Sequence, residues 1–396
     1  MISRSRPCPV CGHWGAAVLF EQRFDHISGA RLLDGYDVAV CNECGAGFAD
    51  RIPEQADFDR YYRDLSKYEG KQPAESQAPP IEHRFEGIAD VLARYLPGPE
   101  TLGLEIGCGY GQLLSLLRER GYTRFIGADP SPGCAAAARL FYDVPVMACT
   151  VFNIPAAEKP YEFLILTGVM EHIRDLDRTL ERFHELLTPD GRVFLEVPDA
   201  SRLSPEMDAP FQEFSVEHIN YFSPTSLDNL MTLRGFRVVA GGRALRPMHS
   251  VATYTAWGVY EKNPAAATWR KDDETVVGLG AYIEGCRRRD LRLRAKIRQV
   301  LPPEGRIIVW GTGAHTLRLL AIGGLDPEWI VAFVDSNTKY QDRKLRGIPV
   351  LSPTEVLTRT EPILISSRGC QGEIQRQIRD VHGMDNPVIL LYETGE

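Results

Sequence analysis

Long apolar stretches are missing from this sequence. It contains no run of about 20 apolar residues, the length that a helix needs to cross a lipid bilayer. The first residues, Met1 to Arg6, lead into no apolar core of the kind that a secretory signal carries. We therefore expect a cytoplasmic protein with no membrane partner.

An excess of positive charge is missing as well. The chain has 45 lysine and arginine residues against 53 aspartate and glutamate residues, which gives a formal net charge of -8. Nucleic-acid-binding proteins need a basic surface that displaces counterions from phosphates. We therefore expect no nucleic-acid partner.

The length and composition indicate a globular protein of several domains. The chain has 396 residues, and a typical domain has about 100–200. Hydrophobic residues make up 44% of the chain and charged residues 25%, which leaves ample apolar surface to bury. We expect three domains.

Four of the nine cysteines lie near the amino terminus in two identical spacings. They are Cys8, Cys11, Cys41 and Cys44. Two residues between paired cysteines allow both thiolates to bind one ion, and two such pairs complete a tetrahedral zinc site. Residues 16–20 and 36–40 are predicted to be short strands of a zinc ribbon. The alternative is four unliganded thiols in a small β unit.

Residues 53–80 are polar and rich in turn-forming residues. This composition is typical of a linker or of a flap over an active site. Tyrosines at positions 61, 62 and 68 could donate hydrogen bonds to a substrate from such a flap. Tyrosines that only pack are the equal alternative.

The middle of the chain alternates between helical and strand patterns. A helix is predicted at 81–96 and another at 112–120, and buried strands are predicted at 101–106, 124–129, 163–166 and 192–197. A Pro-Asp-Gly turn at 188–191 precedes the last of these strands. The alternation predicts a parallel sheet with helices on both faces, whose ligands bind beyond the carboxyl ends of the strands.

The same alternation returns after a charged helical region at about 262–300. Strands are predicted at 306–310, 330–335 and 362–366, with a glycine turn after the first. The last 95 or so residues therefore predict a second, smaller Rossmann-like unit.

A glycine-rich turn follows the first strand of the middle region. Its spacing is Glu-x-Gly-x-Gly-x-Gly, with Glu105, Gly107, Gly109 and Gly111. Glycine permits dihedral angles that a Cβ would forbid, and it lets the backbone approach a ligand closely. The spacing differs from the dinucleotide pattern, and Glu105 suits a neighbouring ammonium group better than a phosphate.

An acidic residue ends the next strand. Asp129 is placed where a carboxylate can accept hydrogen bonds from both hydroxyls of a ribose. Its alternative role is to cap the helix that begins near Ser131.

In their order, the glycine turn, the spaced acid, the segment 168–173 and the Pro-Asp-Gly turn resemble class I S-adenosylmethionine-dependent methyltransferases over about residues 80–200. The resemblance implies S-adenosylmethionine as cofactor, with Phe152 and Asn153 at the adenine. The cofactor-binding residues that it implies are Glu105, Gly107, Gly109, Gly111, Asp129, Pro130, Phe152 and Asn153.

The whole chain resembles the zinc-containing sugar 3-C-methyltransferases, which act on nucleotide-linked 4-keto-deoxysugars. The local match is the segment from Glu217 to Ser223, with the pattern Glu-His-x-x-Tyr-Phe-Ser. The resemblance implies a zinc ribbon at 1–55, a methyltransferase domain at 56–260, a helical connector at 261–300 and a substrate-holding Rossmann-like domain at 301–396. It implies a nucleotide-linked sugar as small-molecule substrate.

Carbon methylation beside a ketone requires a base that removes an α-proton. Histidine has a suitable pKa, so we predict that His218 is this base. Glu217 is predicted to bind a sugar hydroxyl or share the proton transfer, His172 to polarise the keto oxygen, and Tyr221 to assist. The alternatives are that His172 belongs to a Glu-His pair common to many methyltransferases and that His218 caps a helix.

Two segments depart from the sugar family. The turn Gly311-Thr312-Gly313-Ala314 lacks the tyrosine and the lysine found there, and Arg246 and His249 lie in a segment that is glycine-rich in that family. Arg246 and His249 are therefore weak candidates for substrate contact. Two other functions stay open, namely O-methylation of a sugar or other metabolite, and an adaptor that pairs the zinc ribbon with a dinucleotide-binding fold through Asp335.

Overall fold

The computed structural model describes residues 5–64, 81–156, 158–206, 208–248, 251–263, 265, 268–301 and 305–392. The chain divides into two compact units. The first comprises Met1–Leu19, Asp37–Leu203 and Glu217–Gly280, and the second comprises Phe20–Tyr36, Ser204–Val216 and Ala281–Glu396. The predicted boundaries at 55, 260 and 300 stay a prediction.

The amino-terminal part of the chain forms a small sheet and one helix. These elements are β1 (Ala16–Arg23), β2 (Gly35–Cys41), β3 (Gly47–Asp50) and α1 (Gln55–Asp64). Helix α1 lies within the segment that we predicted to be a linker or a flap, so residues 55–64 are helical and not rich in turns. Asp57 in its first turn and Arg63 in its last complement the helix dipole, and Phe58 is buried beneath it. Residues 65–80, with Tyr68, lie outside the described residues.

A seven-stranded sheet forms the centre of the first unit. Its helices and strands are α2 (His83–Leu92), β4 (Gly103–Ile106), α3 (Gln112–Glu119), β5 (Phe125–Asp129), α4 (Pro132–Tyr142), β6 (Val146–Ala148), β7 (Tyr161–Thr167), α5 (Leu176–Leu186), β8 (Leu187–Pro198), β9 (Asn220–Tyr221), α6 (Pro224–Thr232), β10 (Phe236–Met248) and β11 (Val251–Lys262). The strand order is β10-β11-β8-β7-β4-β5-β6, and β9 belongs to a separate sheet, in the order β1-β2-β3-β9.

The five strands β4 to β8 pair in parallel, which confirms the predicted α/β architecture. Strand β7 shows how the sheet is buried. Leu164 and Leu166 point into one apolar core, whereas Phe163 and Ile165 point into another on the opposite face. The loops after β4, β5, β6 and β7 therefore meet at one edge of the sheet, where ligands bind in such folds.

The Pro-Asp-Gly residues that we predicted to form a turn before the strand at 192–197 lie within that strand. Strand β8 continues through these residues, and the pairing moves from Leu187 opposite Tyr161 to Arg192 opposite Phe163. Residues 188–191 are opposite a single residue of β7, so the turn residues form a bulge inside the strand.

The helical prediction for 262–300 began too early. Residues up to Lys262 complete the antiparallel strand β11, and helix α7 runs from Asp273 to Val300. The charged composition suggested a helix from residue 262, but this residue still pairs with Phe236 of β10 and so belongs to the strand.

The second unit contains a six-stranded sheet of order β14-β15-β13-β12-β16-β17. Its elements are β12 (Ile307–Trp310), α8 (Ala314–Ala321), β13 (Ile330–Val334), β14 (Lys344–Leu345), β15 (Ile348–Leu351), β16 (Ile363–Ile365), α9 (Gln371–Arg376) and β17 (Val388–Leu390). All pairs except that of the edge strand β14 are parallel. The predicted Rossmann-like character of this part is confirmed. Among the described residues, none of the helices is both long and apolar enough to cross a membrane.

Candidate functional site

The glycine turn after β4 has the backbone that the sequence predicts. Gly107, Gly109 and Gly111 have φ angles of 73°, 52° and 77°, in the left-handed region that favours glycine. A Cβ on Gly107 would lie 2.4 Å from Cγ2 of Val169, whereas a Cβ on Gly109 would meet nothing within 4 Å. Gly107 is thus required by packing, and Gly109 presents open backbone to a ligand.

Asp129, at the end of β5, holds this turn in place. Its Oδ2 accepts a hydrogen bond from the backbone N–H of Gly109 at 2.9 Å, and its Oδ1 accepts one from the N–H of Ser131 at 2.9 Å. The helix cap is Ser131 and not Asp129, because the Ser131 hydroxyl accepts the N–H of Cys134. The carboxylate lies at the carboxyl end of the second strand, where a ribose is bound in such folds, and its contact with the cofactor stays a prediction.

Glu105 is a buried carboxyl group at the end of β4 and is 1% exposed. Burial raises its pKa well above the ordinary value, although the charge of Arg84 opposes this effect. Its Oε2 makes no hydrogen bond within the described part of the chain. A bound ammonium would satisfy this oxygen. Arg84 donates from Nε to Glu82 at 2.6 Å, and its positive charge, which acts on Glu105, would also attract the carboxylate of the same amino-acid group. Arg84 belongs to no sequence motif that would mark it as a cofactor ligand.

The remaining predicted cofactor residues follow the next two strands. Pro130 is half-buried directly after Asp129, and Phe152 and Asn153 lie in a one-turn helix after β6. The guanidinium of Arg178 lies 4.5 Å from the centre of the Phe152 ring, and Asn153 is exposed. Their contact with adenine stays a prediction.

The structure brings together the two segments that we predicted to bind the methyl acceptor. Glu171 and His172 lie in a one-turn helix after β7, and His218 lies in the loop before β9. The imidazole rings of His172 and His218 have centroids 4.8 Å apart at an angle of 66°. His218 is not a helix cap, since Ser223 caps the helix α6 that follows.

A hydrogen bond determines which nitrogen of His172 faces the cluster. Nδ1 lies 3.0 Å from the backbone oxygen of Glu217, and because this oxygen can only accept, Nδ1 carries a proton. Nε2 lies 3.9 Å from Oε1 of Glu171, whose side chain is 5% exposed. The cluster therefore places a buried carboxyl group close enough to an imidazole nitrogen for its charge to act on the ring, but beyond hydrogen-bond distance.

Three tyrosines contact the candidate acceptor site, some through a hydroxyl and one through the edge of its ring. The hydroxyl of Tyr61 donates to Oε1 of Glu217 at 3.1 Å, and the ring of Tyr62 lies edge-on to His172 at 6.0 Å. Tyr221 is 4% exposed, and its hydroxyl donates to the backbone oxygen of His218 at 3.0 Å. Tyr221 thus holds the loop of His218, and its role in catalysis stays a prediction.

Arg246 forms a buried ion pair. Its Nε and Nη2 donate to the two carboxylate oxygens of Glu196 at 3.0 and 2.7 Å, and Arg246 is 7% exposed. This bidentate pair engages the guanidinium, which weakens the case for substrate contact. His249 lies outside the described residues.

Two groups of side chains in the described residues have the composition of metal ligands. In the four-cysteine group, Sγ atoms of Cys8 and Cys44 and of Cys11 and Cys41 lie 3.6 Å apart. Zinc bound to sulfur at about 2.3 Å in a tetrahedron separates the sulfurs by about 3.8 Å, so this group fits zinc.

The second group comprises Glu171, His172 and His218, with ligand atoms within 4.8 Å of one another. Atoms bound to one ion at about 2.1 Å lie only about 3–3.5 Å apart. The distance of 3.9 Å between His172 and Glu171 is wider than this. The side chains of this group are therefore spaced more widely than the ligands of a single ion.

Comparison with known proteins identifies the chemistry of this fold. Residues 81–240, which include the glycine turn and Asp129, match the family of methyltransferase domains. The chain is 27% identical to the C-methyltransferase NovU of Streptomyces niveus over 373 residues, which cover 88% of this chain and 86% of that protein. The chain is an S-adenosylmethionine-dependent methyltransferase.

Other comparisons cover less of this methyltransferase. The human mitochondrial ubiquinone biosynthesis O-methyltransferase is 22% identical over 217 residues, covering 50% of this chain and 54% of that one. A solved Burkholderia thailandensis 1,6-didemethyltoxoflavin-N1-methyltransferase is 20% identical with a TM-score of 0.39, covering 56% of this chain and 97% of that one. Residues 304–390 match the family described as C2185-like, N-terminal.

Asp129→Ala is predicted to weaken S-adenosylmethionine binding by about 10–100-fold, because hydrogen bonds to a charged group contribute about 1.5–3 kcal/mol. Isothermal titration calorimetry measures the affinity, and thermal unfolding of the variant checks that the glycine turn remains folded. An unchanged affinity in the folded variant would remove Asp129 from the cofactor site.

Arg84→Ala is predicted to weaken S-adenosylhomocysteine binding by about tenfold or more, because one charged contact to the amino-acid carboxylate is lost. Binding of 5′-methylthioadenosine, which lacks that carboxylate, should be unchanged. Glu105→Gln should likewise affect only the ligand that carries the ammonium. Equal losses for both ligands would show that Arg84 supports the fold and not the ligand.

Proposed function

We propose that this methyltransferase transfers a methyl group to a carbon next to a keto group in a nucleotide-linked deoxysugar. The observation that carries the proposal is the pair of imidazoles, His172 and His218, beside the buried Glu171 in the loop cluster. The similarity to a C-methyltransferase over most of the chain supports the same reaction.

The cluster supplies the acid–base chemistry that carbon methylation requires. When bound, S-adenosylmethionine supplies an electrophilic methyl group on a sulfonium. His218 takes the proton from the carbon beside the ketone, which leaves an enolate. The new carbon–carbon bond forms as the carbon–sulfur bond breaks, and the proton remains on His218 until it passes to solvent.

His172 has the geometry to stabilise the enolate oxygen. With Nδ1 bonded to the backbone oxygen of Glu217, a proton on Nε2 makes the ring an imidazolium that can donate to the substrate. The carboxylate of Glu171 offsets this positive charge from 3.9 Å. Glu217, oriented by Tyr61, would accept a hydrogen bond from a sugar hydroxyl.

We further propose that one zinc ion is held by Cys8, Cys11, Cys41 and Cys44 in a structural site. Three of the four cysteines are buried and the sulfur spacing suits zinc, so the closed site leaves no position for a substrate. The carboxyl-terminal domain, 301–396, would hold the nucleotide, and the protein would act in the cytoplasm.

O-methylation is the second candidate function, with His218 deprotonating a hydroxyl. The similarity of half the chain to a ubiquinone biosynthesis O-methyltransferase favours it. Solvent deuterium separates the two reactions. A keto sugar incubated in heavy water with the enzyme and S-adenosylhomocysteine gains deuterium beside the ketone only if the enzyme forms an enolate.

A dinucleotide-binding adaptor is disfavoured by the surroundings of Asp335 in the second unit. Oδ2 of this carboxylate accepts hydrogen bonds from the backbone and hydroxyl of Thr312 at 2.8 and 2.5 Å, and Oδ1 accepts one from the N–H of Asn337. Thr312 thus supplies two donors to Oδ2, so this carboxylate cannot accept a ribose hydroxyl on each of its oxygens.

His218→Asn is predicted to lower turnover by about 10²–10⁴-fold, the usual contribution of a positioned acid–base group. Cofactor affinity should be nearly unchanged. The parent rate should rise with pH as the base loses its proton, and this limb of the pH–rate profile should be absent in the variant. His26→Asn, which replaces a half-exposed imidazole in the second unit, is the matched control. A variant that keeps most of its turnover and deuterium exchange would make His218 a structural residue.

Metal analysis is predicted to find one zinc per chain, and Cys41→Ser should abolish the stoichiometric ion. Because the site is closed and structural, the variant should lose stability in the amino-terminal part while its affinity for S-adenosylmethionine changes little. Protein purified without chelators that contains well under one equivalent of zinc would contradict the assignment.

A further inference from the structure

The side chain of Asn220 joins the two loops that carry the candidate catalytic groups. Its amide nitrogen donates to the backbone oxygens of Met170 at 2.9 Å and Ile173 at 2.7 Å. These two carbonyls flank Glu171 and His172. The backbone N–H of Ile219 also donates to the backbone carbonyl oxygen of Glu171 at 2.8 Å. The separation of His172 and His218 is therefore determined by bonds between the loops.

Arg6 extends this network to the amino terminus. Its Nη2 donates to the side-chain oxygen of Asn220 at 3.2 Å and to the backbone oxygen of Ile219 at 2.9 Å, while its Nε donates to Ala49 at 2.8 Å. Arg6 is 5% exposed and lies two residues before Cys8. Burial lowers its pKa to about 9, so it remains charged at neutral pH.

The strand that follows the second cysteine pair is part of the same connection. Strand β3 pairs with β2, which ends at Cys41, and also with β9, where Phe48 lies opposite Asn220. Two parts of the chain thus connect the four-cysteine site to the segment that contains Asn220. Arg6 lies just before the first cysteine pair, and strand β3 lies just after the second cysteine pair.

We propose that Arg6 and Asn220 are positioning residues through which the four-cysteine ribbon sets the geometry of His172 and His218. The proposal rests on the proposed function of these histidines. Asn220 fixes the spacing of the two loops, and Arg6 fixes Asn220 against the ribbon. The buried guanidinium of Arg6 bonds three acceptors, and the loss of any one of them would leave a buried polar group without a hydrogen bond. These bonds therefore favour a single arrangement of the loops.

The chain offers a matched control for Arg6. Arg234 also anchors the first cysteine pair, since its guanidinium donates to the backbone oxygens of Val10 at 2.6 Å and Pro9 at 2.9 Å. In the described part of the chain its side chain bonds to Val10, Pro9 and Asp177, none of which belongs to the loop of His172 or of His218. Arg234→Ala should therefore weaken the ribbon without changing the spacing of the histidines.

Zinc-loaded Arg6→Lys and Asn220→Asp are the test variants. Lysine keeps the charge of Arg6 but carries all its donors on one nitrogen, so it cannot reproduce the separate donations of Nε and Nη2. Aspartate keeps the acceptor for Arg6 but loses both donations to the loop of His172. Both variants should lose about tenfold or more in kcat and shift the pH–rate limb of His218, with unchanged cofactor affinity and zinc content. Arg234→Ala should lower thermal stability while kcat stays within about twofold of the parent.

Hydrogen exchange of the Ile219 amide provides a readout that needs no methyl acceptor. This amide bonds to the backbone oxygen of Glu171, so its exchange reports on the contact between the two loops. The exchange rate should rise by about tenfold or more in Arg6→Lys and Asn220→Asp, and it should stay unchanged in Arg234→Ala. Parent enzyme that fails to methylate the keto sugar would overturn the proposed function while leaving this comparison valid. Unchanged exchange and kcat in Arg6→Lys, or equal losses in Arg6→Lys and Arg234→Ala, would overturn the positioning role.

Discussion

The hydrogen bonds of one buried amide, that of Asn220, are the interaction on which the acceptor site depends. Glu171 and His172 lie in a single helical turn, and His218 lies in an irregular loop, so neither segment has a regular ladder of backbone hydrogen bonds to fix it. Buried backbone carbonyls must nevertheless be bonded. The Asn220 side chain satisfies two of them and thereby joins the two loops that carry the proposed catalytic groups.

One side chain also joins two loops at the edge of the sheet where we expect the cofactor to bind. A carboxylate, Asp129, bonds the backbone of both the glycine turn and the following loop, and so orients two ligand-binding segments with one side chain. Glu105 is different, because it is buried next to a charge of opposite sign, Arg84, yet keeps an oxygen with no bond in the described residues. Such an oxygen is costly without a ligand and favourable with a bound ammonium.

The parts of the fold that depend on local pattern could be predicted from the sequence. The strands 103–106, 125–129 and 307–310 follow apolar runs, and Gly107 and Gly109 have the positive φ angles that their motif requires. Helix α1 was missed because its single buried side chain, Phe58, gives no apolar periodicity. The bulge at 188–191 was missed because the same residues form turns elsewhere.

The sequence allowed the residues of the candidate acceptor site to be predicted, but not the hydrogen bonds that hold them in place. His172 and His218 were found through a family resemblance, whereas Arg6 and Asn220 are 214 positions apart and carry no motif. Arginine next to a cysteine pair has many possible partners. Only the pairing of β3 with β9 brings this one to the acceptor loop.

Transfer of a ¹³C-labelled methyl group from S-adenosylmethionine to a nucleotide-linked keto sugar tests the central claim most directly. Nuclear magnetic resonance of the product identifies the atom that receives the label. Our account predicts a methyl carbon bonded to the ring carbon beside the ketone, with long-range correlations to the carbonyl. A label bonded to oxygen, or a keto sugar that receives no label while another acceptor does, would contradict it.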